Sequence, residues 1–512
     1  MNIFKQSAIY LIAILLLNIS CTVEDPEPAK DGLSSMLITS TFEPNENCPN
    51  GGVKVESGLD RNENEILDPE EIDQTQLICH GQNGTDGNDA TADGLGKTYV
   101  TLTGDITDEA AAIILKENVG SLTQYVTITN TTQVTTLDLS VLQEVFNIQI
   151  LGNEKLSSVN LDNLSKVYGT IQIYNNKRLH TISLPILSSV NGSAQFGTTS
   201  LSNSYVKTLN IPELIDFKSL FIGSSISSLQ QAQYSSGFVG IYCNISSFDF
   251  SYLTDASNLS FTFYTPTLQS IDFSNLTHIQ RLSFSLSNNL DFGQINLPKL
   301  QSGWINISEG TLTTLSLPEW STGSLNINGC DQLTSISIPK YENGGSLILQ
   351  NNDLLEEVNY PSLTSLTEYL AINTNTKLTN IQFDRLETVS FIEVKDNDEL
   401  ISMKFNKLSN LSSNSVYISL NIIDNKKLTD LSMPMLSSSG KEGRYIMSRN
   451  DLSTTSINNM LAAFLSFDPP LSSSTIDLSS QKTESGASGQ GATDAATLRT
   501  NGNSVNVAVT AL

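Results

Sequence analysis

The chain has 512 residues, 39% of them hydrophobic, and its 53 acids against 27 bases leave a formal charge of -26. Such a length and apolar content can bury a large core, whereas the low Lys/Arg density argues against a nucleic-acid partner. The acidic excess suits a solvated surface and makes cations the more natural small partners.

Residues 1–20 read as an export signal, with Lys5 as the positive start and a mostly apolar run from Ala8 to Leu17 that is too short for a convincing spanning helix. Ser20 then precedes Cys21. This border resembles the lipid-attachment site of bacterial lipoproteins, where the thiol is joined to diacylglycerol and the cysteine becomes the new N-terminus. Asn18 departs from the leucine usual in that family, and ordinary secretory cleavage is the alternative. Glu24 and Asp25 resemble the acidic tag that sends lipoproteins to the outer surface of certain bacteria. The resemblance implies an outer-membrane or cell-surface protein that meets the membrane through its lipid alone. Residues 21–34, with prolines and charges but no apolar period, read as a flexible tether.

Residues 35–84 form a candidate small module. Cys48 and Cys79 are the pair close enough in sequence to bracket it, and an exported protein can keep them oxidised. Closing a loop of about thirty residues is worth roughly 3 to 4 kcal/mol in the chain-entropy model. Within it, DRNENEILDPEE places Asp60, Asn62, Asn64, Ile66, Asp68 and Glu71 at the spacing of a calcium loop. Calcium prefers six to eight hard oxygens, and this rhythm supplies carboxylates, amides and a main-chain carbonyl. The loop resembles those of EF-hands and dockerins, although Glu65 stands where their turn glycine belongs and the preceding GGVKVESGL is strand-like. Two readings stay open: Ca2+ binding, or an Asx-rich turn stapled by the disulfide without metal. The module as a whole resembles one of unknown function in bacterial surface proteins, often followed by collagen-like sequence. Here GQNGTDGND offers too few triplets for a triple helix, so residues 85–97 read as a Gly/Asp-rich linker.

Residues 98–125 predict an N-terminal cap, in which YVTLTG is a strand and DEAAAIILKEN a short helix. Residues 126–452 then repeat one unit. Its cleanest copy begins at Ile171, with apolar residues at Ile171, Ile173, Leu179, Ile182, Leu184, Leu187 and Val190, and the order returns from Leu347, Leu370 and Ile392. A period of about 22 or 23 residues marks a stacked solenoid of about fourteen layers. Parallel pairing of equivalent strands buries alternate residues. Asn153, Asn176, Asn244, Asn352, Asn375, Asn397, Asn425 and Asn450 share one repeat position and predict an asparagine ladder whose amides satisfy the turns. Cys330 takes the same position and Cys243 precedes Asn244; both read as buried and inert. Pro185, Pro298 and Pro318 suit corners where an N–H is unpaired. The repeats resemble the receptor L domain and related bacterial leucine-rich repeats. That resemblance implies a mainly β, right-handed parallel solenoid with α/β caps. Residues 453–512 predict a closing cap of helix, strand, helix and strand, like those of other bacterial leucine-rich surface proteins.

Catalytic motifs are lacking. His80, His180 and His278 have neither zinc spacing nor a nucleophile partner, and Glu356 and Glu357 are paired only by adjacency. Aromatic residues offer more. If Ile173, Ile241 and Phe263 point inward, Tyr174, Tyr242 and Tyr264 point outward together, with Phe221 at the neighbouring column and Trp304 as a further member. Such rings either stack on sugars and protein loops or bury one another against the sheet. Trp320 and Tyr341 fall at the Leu187 position and read as core. The leading expectation is therefore a monomeric, non-enzymatic, lipid-anchored surface protein that binds a glycan or protein. A polysaccharide lyase or hydrolase on a parallel β-helix, and a passive envelope spacer, are the alternatives.

Overall fold

The computed structural model describes residues 35–43, 52–62, 64, 66–79, 95–198, 205–223, 226–231, 233–243, 245–265, 267–285, 294–411, 419–439 and 443–509. The chain divides into two compact units, Met1–Asp89 and Ala90–Leu512. The export signal, Cys21, the tether, Cys48, His80, most of the linker and Asn244 lie outside the described residues, as does the side chain of Cys79.

In the first unit, β1 (Ser35–Phe42), β2 (Gly52–Leu59) and β3 (Ile72–Cys79) form an antiparallel sheet in that order. Its calcium-loop sequence spans the turn between β2 and β3. Gly58 is required there, because a Cβ on it would lie 1.9 Å from the Glu71 carbonyl oxygen.

The second unit is mainly β, a parallel β-solenoid of about fourteen turns. Ile171–Tyr174 pairs in parallel with Asn147–Leu151 on one side and Ser189–Phe196 on the other, aligning Ile171 with Ile148 and Ala194. Because equivalent residues align, inward side chains stack on their own kind: all seven apolar positions of the Ile171 repeat are buried, and one continuous core runs from Val100 to Val507. Register shifts interrupt several of the long-strand pairings, as between Val190 and Ser193 and between Leu366 and Tyr369. Shorter strands such as Thr181–Ser183, Thr208–Ile211 and Ser228–Gln231 pair as a second face.

The asparagine ladder is present at both ends of the stack. Asn153 N–H donates to Asn176 Oδ1 at 3.0 Å, and Asn176 Nδ2 donates to the Ile150 carbonyl at 2.8 Å. A longer run joins Cys330, Asn352, Asn375, Asn397, Asn425 and Asn450, each main-chain N–H donating to the next Oδ1 at 3.0 to 3.1 Å. Gln481 continues it by accepting from Leu452 N–H at 3.0 Å. The residue before each ladder member is left-handed, including Gly152, Asn175, Asn351, Thr374, Asp396, Asp424 and Arg449. That sharp turn aims the next amide into the interior, and the ladder satisfies it.

Helices and strands lie at both ends of the solenoid sequence. The N-terminal helix is Asp108–Asn118, capped by Thr107, whose Oγ1 accepts from Ala110 N–H. The C-terminal cap comprises helix Thr454–Leu465, strand Thr475–Asp477, helix Gln490–Thr500 and strand Ser504–Asn506. Trp320 and Tyr341 are fully buried and stacked, with centroids 4.6 Å apart.

Candidate functional site

Each long strand turns three side chains outward around its two inward ones, as Thr170, Gln172 and Tyr174 do around Ile171 and Ile173. From Tyr99 to Asn373, among the described residues at these outward positions, Arg281 alone is charged. The remainder are Ser, Thr, Asn, Gln, Gly, aromatic and a few aliphatic residues. Amide rows knit part of the face: Gln149 Nε2 donates to Gln172 Oε1 at 2.9 Å, and Asn326 Nδ2 to Asn306 Oδ1 at 2.8 Å. Charges do gather on the turns, where Lys177–Glu154, Lys426–Asp398 and Lys427–Glu399 form ion pairs.

The aromatic residues gather at the middle of the face. Tyr242 and Tyr264, successive in one column, stack with centroids 4.5 Å apart and planes 10° apart. Tyr264 is 39% exposed. Burial, helped by Tyr264, pushes the Tyr242 phenol up to about 12, so that ring stays neutral at physiological pH. Phe221 and Phe238 lie 5.6 Å apart beside them. All of this is organised around Gly240, on which a Cβ would meet Phe221 at 3.0 Å and Phe238 and Tyr242 at 3.2 Å. A glycine therefore lets three rings close over one point of the sheet.

Two expected members sit differently. Tyr174 shares the column of Tyr242, but Gly197 and Gly223 occupy it on the two strands between. Trp304 lies on the same face in another column, because it precedes the first inward residue, Ile305, whereas Tyr174 follows the second. There Trp304 is 42% exposed and lies under the Arg281 guanidinium, 3.5 Å from carbon to ring centroid. Sequence reasoning missed Phe238, Gly240 and Arg281, as well as a second aromatic set in which Tyr99 stacks on Tyr125 at 4.6 Å and Tyr125 meets Phe146. The signal was available in the spacing: Phe238 and Arg281 each directly precede an inward strand residue.

A family model described as a domain of unknown function, DUF7151, matches residues 34–79. No curated protein and no solved structure matches the chain.

In that matched segment the calcium-loop residues do come together. Asn62 Nδ2 and Asn64 Nδ2 both donate to Asp68 Oδ2, at 2.8 and 2.9 Å, and Asp60 Oδ1 accepts from Asn64 N–H at 3.1 Å. Ile66, at the carbonyl position, is exposed. Glu71 is buried and turned to the backbone: Oε1 accepts from Arg61 and Asn62 N–H, and Oε2 from Asp68 N–H. The donor set has the hard-oxygen chemistry calcium takes, but a two-oxygen ligand role for Glu71 would require it to release these amides. Among the described residues, no group of three or more His, Cys, Asp or Glu is arranged to hold a metal.

Other reactive groups are occupied or sealed. His180 Nδ1 lies 2.6 Å from the Arg178 carbonyl, and His278 Nδ1 lies 2.9 Å from Thr277 Oγ1. Burial pushes the Cys243 thiol up to about 12 and the Cys330 thiol up to about 11, so neither forms a nucleophilic thiolate. Glu357 faces solvent from a short second-face strand, away from the aromatic face.

Proposed function

We propose that this is a lipid-anchored bacterial surface protein, not an enzyme, whose solenoid sheet binds a glycan or protein ligand. The observation that carries the reading is the outward face from Tyr99 to Asn373: aromatic rings set among Ser, Thr, Asn, Gln and Gly, with one charge at the described positions. Tyrosine and tryptophan give large rigid contact areas at low entropic cost, and the small polar residues give adaptable hydrogen bonding, the composition that recurs in binding surfaces. A face needed only for spacing would gain solubility from charge. No carboxylate lies at the described outward positions from Tyr99 to Asn373 to form the pair that glycoside hydrolysis uses. Within this reading the solenoid is of the right-handed, leucine-rich receptor L type, attached through Cys21. The N-terminal module is stapled by Cys48–Cys79 and stiffened by Ca2+ at Asp60–Glu71.

A glycan and matrix-protein array probed with the full chain tests the face. Alanine at Tyr174, Tyr242 and Tyr264 together is expected to abolish the strongest signal; unchanged binding refutes the assignment. Calcium calorimetry tests the module separately. The expected result is saturable heat and a raised melting temperature, both lost in Asp60→Ala, and no heat removes the metal from the account.

A further inference from the structure

The same face carries a more specific preference, which rests on the binding reading above. Thr262 and Ser283 succeed Gly240 in the central outward column, one strand apart each, and both are only 8% exposed. They form a low, hydroxyl-bearing floor. Tyr242 and Tyr264 stand along one side of it, and Phe238, Arg281 and Trp304 along the other. The two sides are four residues apart on a strand, about 13 Å between backbones at ~3.3 Å per residue. Arg281 makes no ion pair among the described residues and lies over the Trp304 ring. The aromatic stack holds the guanidinium flat and half-buried while leaving its fork of N–H donors without a carboxylate.

We propose that this trough binds an acidic saccharide, one sugar ring lying against Tyr264 and a neighbouring ring across the floor placing its carboxylate on the Arg281 fork. The chemistry is complementary at each point. Flat rings cover the apolar face of a sugar, the Thr262 and Ser283 hydroxyls meet its hydroxyls, and a planar fork matches a planar carboxylate. In a chain of charge -26, one cation among described outward positions that carry no carboxylate is the place where an anion meets least repulsion. A nucleic acid would need many such cations. A protein partner would favour an apolar centre depleted in serine over this hydroxyl floor.

The test titrates the full chain with oligogalacturonate and with its methyl ester, which keeps the sugar and removes the charge. The free acid is expected to bind about ten- to a hundredfold more tightly, the range a charge-assisted hydrogen bond supplies. Arg281→Gln should erase that preference, bringing the two forms to equal affinity, whereas Tyr264→Ala should weaken both forms while keeping the preference for the acid. Equal binding of acid and ester, or a preference that survives Arg281→Gln, overturns the acidic-sugar assignment while leaving the binding face standing. If neither saccharide binds, the assignment also falls, and the array then decides the face: a Tyr264-dependent signal from another ligand keeps it, and none removes it.

Discussion

The stack uses two different devices to hold its layers in register. From Cys330 to Asn450 every turn is pinned by a buried amide that accepts one main-chain N–H and donates back to a carbonyl, while the interior is mostly leucine, isoleucine and valine. In the middle, Thr198 and Thr265 lie at or near the ladder turn and the interior switches to phenylalanine. Phe250 stacks on Phe273 at 5.2 Å, Phe263 stacks on Phe284 at 5.1 Å, and Phe261 sits 4.8 Å from Phe250. The outer aromatic cluster covers these same middle strands. The comparison teaches that, among the described residues, the layers whose interior is filled by large rings are the ones whose outside carries Phe238, Tyr242 and Tyr264.

The sharpest way to break the comparison is to remove one rung. Asn397 accepts from Asn375 N–H and donates to the Ile372 carbonyl and to Asn425 Oδ1, all in the dry interior. Asn397→Ala strands several buried groups at about 1–3 kcal/mol each, so a loss of roughly 3–5 kcal/mol in urea denaturation is expected. A loss below about 1 kcal/mol would show that the ladder follows the fold without holding it. Next in size, Phe273→Leu should cost about 1–2 kcal/mol, because the ring fills space against Phe250 and Phe261 but leaves no polar group unpaired. A cost matching that of Asn397→Ala would mean that the two devices are not different in kind.

Much of this was legible in the chain, for a definite reason. In a parallel stack each position meets only its own equivalents, so a period read along the sequence is also a map of contacts. That is why the inward set, the ladder from Asn352 to Asn450, both caps and the interior placement of Trp320 and Tyr341 could all be read from spacing. What escaped reading depended on detail within a layer. Trp304 reads as a further member of the Tyr174 row only until its place before the inward Ile305 is set against that of Tyr174 after Ile173, and the registered pairing with Arg281 shows the column it shares. The Gly240 convergence was hidden for a similar reason, since Phe221 arrives from the preceding strand. Nor could the sequence show Glu71 turned toward the amides of its own loop, because its spacing suits that role and a metal ligand equally.

The smallest expected effect tests the outer edge of the laddered turns. Asp396 is a left-handed residue, and burial together with Asp424 and Asp398 raises its carboxyl above the usual range, against the opposing pull of Lys395 and Lys426. Asp424 goes the other way. Its hydrogen-bonded pair with Arg449, at 2.8 and 2.7 Å, lowers it. A raised carboxyl means that the folded state holds its proton to higher pH than the unfolded chain, so ionised Asp396 costs stability once pH exceeds its folded value, and that cost vanishes below the ordinary carboxylate range. Asp424 contributes stability above that range and loses it as pH falls through its lowered value. Asp396→Asn keeps a residue that tolerates the left-handed turn, as Asn351 already does at the equivalent position. It should therefore stabilise the protein at neutral pH by less than about 1 kcal/mol, the scale of partly exposed charge interactions. The gain should shrink on acidification through the carboxylate range. A gain that is the same at both pH values would trace to backbone preference alone, leaving the crowded carboxylates without an energetic part in the laddered coils.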